Sequence, residues 1–287
     1  VEYYTVEGRR GNRAGGMMLH DRLTRGRVMS QPVERFGVIT GMIETAENLA
    51  RDYDITREQA DAYAVRSHQR AAAAWQKGLF DDELVPVPVP QRKGDPVIFA
   101  HDEGYRADAS METLGALRPI EGKTIPGAIV TAGNASQQND AAAACLVVAE
   151  EKLDELGLEP IAWFHSAAAA GCDPARMGIG PVPAVERLFA RNGLGWGDID
   201  LVELNEAFAP QVLAVLKGWG WSDDDGRRDI LNVNGSGISL GHPIGATGGR
   251  ILAGLTRELQ RRGGRYGLET MCIGGGQGIA AIFERAG

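Results

Sequence analysis

The sequence predicts an α/β layered protein with a largely buried mixed sheet. From residue 161 onward, short apolar runs alternate with stretches of helical period, the pattern of strands and helices stacked in layers. Glycine-rich polar loops separate these runs at the points where strands would end. The composition fits: 287 residues, 44% hydrophobic and 24% charged, describe a globular chain long enough for a sizeable core and more than one unit.

Taken in order, residues 1–40 carry many Gly and Arg and little periodicity, and read mainly as loop following a surface. Six arginines fall within the first 27 positions (Arg9, Arg10, Arg13, Arg22, Arg25 and Arg27), either a solvated face or a contact for an anionic ligand. A helical signal spans residues 44–53. Thr56-Arg57-Glu58-Gln59 has the form of a capping box and opens an Ala-rich helix over residues 57–77, closed by Gly78. Residues 84–90 alternate valine with proline, which lacks the donor a central strand needs, so this is an edge or extended segment. Residues 95–110 read as loop, and a short helix ends within residues 114–119, before Pro119.

Residues 129–131 are expected as a short strand running into Ala132-Gly133-Asn134-Ala135-Ser136-Gln137-Gln138, where small side chains permit close backbone approach to a ligand. Residues 150–156 form a short amphipathic helix. Strands are expected at 161–165, 200–204, 230–233, 266–272 and 278–284. Helices are expected at 182–192, 207–218 and 246–260, with Gly193 just past the end of the first.

Several classes are excluded or disfavoured. A formal net charge of -8 argues against general nucleic-acid binding. No apolar run has the length of a membrane span and no signal peptide is recognisable, so a cytoplasmic protein is expected. Three cysteines (Cys145, Cys172, Cys272) without CxxC spacing give neither a disulfide framework nor a zinc site, and no metal is expected.

Three loops in the C-terminal part carry polar groups. In Asn205-Glu206-Ala207-Phe208, Asn205 sits where a strand meets a helix and on its own reads as an N-cap. In Gly241-His242-Pro243, the neighbours clamp the backbone around His242, which on its own could simply fill a tight turn. In Cys272-Ile273-Gly274-Gly275-Gly276, a cysteine enters a glycine turn. A buried cysteine is ordinarily a small hydrophobe, but successive glycines expose N–H groups that can build an oxyanion site. An Asn, a His and a Cys at strand ends make a converging site plausible.

These three blocks, in this order, resemble the C-terminal signature blocks of the thiolases. Thr131-Ala132-Gly133-Asn134-Ala135-Ser136 resembles a fourth, and Thr45-Ala46-Glu47-Asn48 and Leu117-Arg118-Pro119 fit as well. The resemblance covers nearly the whole chain. It implies an acyl-CoA C-acyltransferase that cleaves 3-oxoacyl-CoA with CoA or runs the reverse Claisen condensation. It also implies roles for individual residues. His242 would be the base that activates a cysteine nucleophile and would donate to the thioester oxygen. Asn205 would hold a water completing that oxyanion hole. Cys272 would be the acid/base cysteine at the α-carbon, and the Gly274 N–H would serve a second oxyanion hole. Ser136 would meet the pantetheine chain, Arg106 the nucleotide of CoA, and Met42 and Phe208 the substrate side. CoA and acyl-CoA are then substrates, with no covalently bound cofactor.

The chain departs from the family pattern in one major respect. The Val-Cys-Gly-Ser-Gly-like motif that carries the nucleophilic cysteine does not occur. Cys145 lies in an Ala-rich core segment and Cys172 precedes Asp-Pro in a loop, so neither is assigned that role. The resemblance therefore implies a chain that begins inside the loop domain: residues 1–138 as loop or cap domain, 139–160 as a remnant of the N-terminal core, and 161–287 as the C-terminal domain. The N-terminal half is expected to be largely missing, supplied by a second chain or lost by truncation, and homo-oligomers are expected. Gln137 and Gln138 replace small and apolar residues, and Gly41 stands where some members place a histidine. A ketoacyl-synthase-like enzyme is the neighbouring alternative, disfavoured by Cys272. A catalytically incomplete acyl-CoA- or lipid-binding protein is the non-enzymatic one.

Overall fold

The computed structural model describes residues 4–6, 19–21, 31–37 and 41–287. Its centre is a four-stranded sheet of order β5-β8-β7-β6, formed by β5 (Ala162–Gly171), β6 (Leu201–Leu204), β7 (Tyr266–Ile273) and β8 (Gln277–Arg285). β6 and β7 run parallel, and the β7–β8 and β5–β8 pairs are antiparallel. The sheet is therefore mixed, as the sequence predicts.

Chain order places the remaining elements around it. β1 (Tyr4–Val6) and β2 (Leu19–Asp21) pair antiparallel, and α1 (Val33–Phe36) is a single turn. This two-stranded pair replaces part of the expected loop. The six N-terminal arginines lie outside the described residues. α2 (Met42–Asp52) and α3 (Arg57–Gln76) follow, the latter opened by the expected capping box between Thr56 and Gln59. β3 (Val87–Val89) and β4 (Val97–Phe99) make an exposed hairpin, so part of the segment read as loop is an edge strand. α4 (Met111–Gly115) and α5 (Leu153–Leu156) are short. α6 (Pro181–Asn192), α7 (Ala209–Gly218), α8 (Gly237–Leu240) and α9 (Thr247–Arg262) complete the described elements.

Period-two alternation divides the sheet into two faces. Val202, Leu204, Leu268, Ala280 and Ile282 point to one side and are buried with Ala184, Val185 and Leu188 of α6 and with α7, whose residues 209–216 are all buried. Leu201 and Phe283 point to the other side and pack against Leu255 and Leu259 of α9. The sheet is thus covered by helices on both faces, which fixes where its strand ends and their loops emerge.

Two expected strands are absent for the same reason: side chains take the backbone partners. Residues 230–233 do not form a strand. Leu231 makes an isolated parallel bridge with Val202, and Asn232 then turns to φ 47°, outside the extended region. Its side-chain amide replaces the ladder, accepting from Leu204 N at 2.9 Å and donating to Leu204 O at 2.8 Å. Residues 129–131 are likewise not a strand, because the Glu47 carboxyl accepts the N–H groups of Ile129 and Val130 at 3.0 and 2.8 Å. Residues 141–147 have no regular secondary structure and are exposed, not the core segment expected, with Leu146 76% and Val147 87% accessible. No helix among the described residues is long and apolar enough to cross a membrane.

Candidate active site

The site is built where β6, β7 and α9 leave or enter the sheet. β6 ends at Leu204, and Asn205 follows with its N–H bonded to Thr270 O of β7 at 3.0 Å. α7 begins only at Ala209, with Phe208 in the N-cap position and no side chain capping it. Asn205 is therefore not the N-cap its position suggests. It is fully buried, and neither its side-chain oxygen nor its nitrogen finds a hydrogen-bond partner among the described residues. Both polar atoms of the Asn205 amide are therefore open to a water or a ligand. Gly237 leaves room for it, since a Cβ at Gly237 would stand 2.8 Å from Asn205 Oδ1.

Glu206, the next residue, holds the surrounding loops in place. Its buried carboxyl accepts from Tyr63 OH at 2.8 Å, Asn232 Nδ2 at 2.9 Å, Ser67 Oγ at 2.6 Å and Ile238 N at 3.2 Å. Tyr63 and Ser67 lie on α3, Asn232 on the loop between α7 and α8, and Ile238 on α8, so one side chain fastens three segments. Burial, and then the Glu206 charge, raise Tyr63 well above its ordinary pKa. Ser67 also meets Ser239 Oγ at 2.8 Å. The alanines of α3 permit this approach: Ala71 is fully buried, and a Cβ at Gly235 would come within 2.8 Å of it.

His242 follows α8 directly. Gly241 has φ 90°, a conformation glycine adopts without steric cost. His242 N donates to Gln137 O at 3.1 Å, and His242 Nδ1 lies 2.7 Å from Thr247 Oγ1 at the start of α9. The ring is half-buried, and burial, with the Arg250 charge second, lowers its pKa to about 4. At neutral pH it is an uncharged imidazole. Ser236 Oγ sits between Arg250 Nη2 at 3.5 Å and Glu203 Oε2 at 3.4 Å, and burial pushes Glu203 up to about 8.

Cys272 is buried near the end of β7, in one apolar cluster with Met177, Ala207, Met42 and Phe208. Burial raises its thiol to about 12, so it remains protonated at neutral pH. Gly274 is exposed at the β7–β8 turn with open space beside it. Gly275 and Gly276 both have φ 89°, and Gly276 O accepts from Cys172 N at 2.8 Å. A Cβ at Gly276 would come within 2.5 Å of Cys172 O, so the turn needs glycine there.

The Asn134–Gln137 stretch ties these loops together. Asn134 O accepts from Ala209 N at 2.8 Å, Ala135 bridges Phe208, Ser136 N donates to Ala207 O at 2.9 Å, and Gln137 O holds His242. Gln137 Nε2 also donates to Gly104 O at 2.5 Å. Arg106 lies on that Gly104 loop, exposed, with its guanidinium turned back to Glu103 O at 2.9 Å and its own N–H given to buried His68.

The structure thus brings Met42, Phe208 and Cys272 into contact. It joins Ser136 and His242 through neighbouring backbone bonds, seats Asn205 beneath Gly237, and leaves Arg106 at the rim. Sequence reasoning missed Glu206, Tyr63, Ser67 and Thr247. The available signal was a carboxylate at the head of an apolar helix, which must find donors if it is buried.

Residues 158–285 match the family described as Thiolase, C-terminal domain, and residues 4–151 match Thiolase, N-terminal domain. The chain belongs to the thiolase family. An acetyl-CoA acetyltransferase of Chromobacterium violaceum is 52% identical over 241 residues, covering 84% of this chain and 59% of that protein. The crystal structure of the Bacillus anthracis acetyl-CoA acetyltransferase superposes with a TM-score of 0.84 at 41% identity, over 99% of this chain and 68% of that one. Human mitochondrial 3-ketoacyl-CoA thiolase in complex with CoA gives 0.82 at 38% identity, over 99% and 68%. The chain spans about three fifths of the length of the curated thiolase relatives it matches. Its layered fold with a mixed sheet is the thiolase fold.

Proposed function

We propose that the chain supplies the base, the oxyanion amide and the acid/base cysteine of an acyl-CoA C-acyltransferase. The reaction is cleavage of a 3-oxoacyl-CoA by CoA, or its reverse Claisen condensation. The observation that carries this reading is Asn205: a fully buried amide with both polar atoms unpaired, beside a loop that fixes a neutral histidine. Such an open group can serve a ligand or a developing charge.

In this reading His242 Nε2 takes the proton of a nucleophilic thiol. In cleavage the thiolate attacks the 3-oxo carbonyl and expels the enolate of the shortened acyl-CoA. In condensation it attacks an acyl-CoA thioester carbonyl and expels the CoA thiolate, which takes the proton back from His242. His242, together with a water on Asn205, then serves the thioester oxygen, and the Gly274 N–H serves the acyl-enzyme. Cys272 delivers a proton to the α-carbon as the carbon–carbon bond breaks, or removes it in the reverse direction. A thiol pushed up to about 12 suits a proton carrier at carbon and not a standing nucleophile. Ser136 would meet pantetheine, Arg106 the nucleotide, and Met42 and Phe208 the acyl side.

The nucleophile is assigned to a residue outside these 287, because no cysteine of the chain fits the role. Cys145 is exposed on a segment without regular secondary structure, burial pushes Cys172 up to about 11, and Cys272 is used. The exposed apolar residues 141–147 support a covering partner, either an N-terminal thiolase half or a second copy. The test assays the chain with acetoacetyl-CoA and CoA. No turnover is expected alone, and turnover is expected once an N-terminal thiolase half is added, with His242→Ala abolishing acylation. Enzyme-like rates from the isolated chain would overturn the assignment of the nucleophile. An acyl-CoA-binding protein without catalysis would bind CoA yet stay inactive in both arms.

A further inference from the structure

We propose that Thr247 is a positioning residue whose hydroxyl pairs with His242 Nδ1 in both neutral forms of the ring, so that Nε2 can act as proton acceptor in one step and hydrogen-bond donor in another. The two steps rest on the acyltransferase reading above; the pairing itself rests on geometry.

Thr247 is the first residue of α9 and is fully buried, with Oγ1 2.7 Å from His242 Nδ1. Its place in the helix matters. Thr256, two turns on, spends its hydroxyl on the carbonyl four residues back, Leu252 O, at 2.9 Å. At the first helical position the preceding residues are loop, and the Thr247 hydroxyl is instead given to the imidazole. The ring has little freedom to seek another partner, because Gly241, Pro243 and the His242 N–H bond to Gln137 O fix its backbone.

The chemistry of the partner is what distinguishes this arrangement. Metal-binding and triad histidines commonly give Nδ1–H to a carboxylate or backbone carbonyl. Those groups only accept, so they hold the proton on Nδ1. A hydroxyl has one donor hydrogen and two acceptor lone pairs. When Nδ1 carries hydrogen, Oγ1 accepts it and Nε2 is a bare base. When Nδ1 is bare, Oγ1 donates to it and Nε2–H faces the reacting groups. In the acylation step the thiol S–H bond breaks and an Nε2–H bond forms. Nδ1–H stays on Oγ1 throughout, so the buried nitrogen is never left unpaired. Burial keeps the ring neutral at neutral pH, with a pKa of about 4, which leaves a single N–H to be placed on one nitrogen or the other.

The test reads the ring directly. The 287-residue chain is labelled with 15N-histidine, His242 is assigned by loss of its signals in His242→Gln, and long-range 1H–15N spectra are recorded at neutral pH. Both nitrogens of wild type are expected at shifts between the protonated and the bare positions, showing two populated forms, and Thr247→Ser is expected to match. Thr247→Val keeps the shape but loses the hydroxyl. It should leave Nδ1 bare and lower the Nδ1–H form at least tenfold relative to Nε2–H, which corresponds to ~1.4 kcal/mol. A wild-type ring locked in one form would overturn the proposal, whether or not the valine variant folds. So would a Thr247→Val spectrum identical to wild type. These spectra are independent of turnover. A completed enzyme that fails to transfer acyl groups would count against the reaction and leave the pairing standing.

Discussion

Replacing Glu206 by alanine tests whether one buried carboxyl holds the site loops in register. Four donors converge on it, and their alternatives differ. Asn232 Nδ2 keeps Leu204 O at 2.8 Å, and Ser67 Oγ keeps Ser239 Oγ at 2.8 Å. The Tyr63 hydroxyl hydrogen and the Ile238 N–H have only Glu206 in the network described, and both lie in the buried interior. Each orphaned donor costs about 1–3 kcal/mol. Loss of the side chain adds a cavity, while removal of a buried charge offsets part of the total. Glu206→Ala is therefore expected to lower stability by about 4 kcal/mol. Glu206→Gln, which keeps shape and one acceptor oxygen, should lose roughly half that, and Tyr63→Phe about 1 kcal/mol. Urea unfolding of the chain measures all three. The Tyr63→Phe/Glu206→Gln double-mutant cycle should show coupling, because the two groups are 2.8 Å apart. Amide exchange at Ile238 should quicken in Glu206→Ala, marking release of α8. A loss below ~1 kcal/mol in that variant would refute the reasoning, since the donors would then have found water or other partners at little cost.

Three further outcomes follow from burial and pairing. Asn205→Ala removes an amide that makes no bond, so unfolding free energy should change by less than about 1 kcal/mol, whereas acyl transfer in the completed enzyme should fall roughly 10²- to 10³-fold; a large stability loss would show that the amide is structural after all. Glu203 is raised to about 8 by burial, beside Arg250, Ser236, Glu206 and Glu83. The folded state thus holds a proton that the unfolded state releases above about 4.5. Its contribution is fully present below 4.5 and is lost as pH rises through 8, so Glu203→Gln should remove up to about 5 kcal/mol of the pH dependence of stability across that window; parallel curves would disprove it. Alkylation mapped by mass spectrometry should label exposed Cys145 first, with buried Cys272 protected until the chain unfolds. Protection of Cys145 on adding an N-terminal thiolase half would locate that partner over residues 141–147.

Much of the fold was legible where local signals and tertiary packing agree. The Thr56–Gln59 capping box opens α3, Gly193 closes α6 in the left-handed conformation, and apolar periodicity marks β6, β7 and α9. The strands expected at 129–131 and 230–233 failed because their backbone partners come from side chains distant in sequence. The carboxyl that caps Ile129 and Val130 belongs to Glu47, 82 residues earlier than Ile129. Asn232 satisfies Leu204 through its own amide, so a residue with strand neighbours sits at φ 47°. Propensity sees neither. In the site, residue types and order pointed to His242, Asn205 and Cys272. The Glu206 network could not be seen, because satisfaction of a buried carboxyl is a property of the assembled fold.

The same observations bear on how irregular loops can carry a precise site. Around His242 there is little regular structure, yet several loop segments are fixed by a side chain acting as a backbone partner. Glu47 serves Ile129 and Val130, Asn134 receives Thr131 N at 2.8 Å, Asn232 pairs with Leu204, and Glu206 takes Ile238. These bonds are buried, where a polar interaction is strongest and its loss most expensive. Beside these bonded groups, Asn205 has both of its side-chain polar atoms without a partner among the described residues. Asn205 sits between Glu206, which is fully occupied, and a glycine whose absent Cβ makes room for it. Asn205 stands next to the histidine loop with its amide open, while Glu206 and Asn232 hold the surrounding geometry. That division of labour is what an oxyanion site requires: rigid surroundings, and one polar group kept in reserve for charge that develops only during reaction.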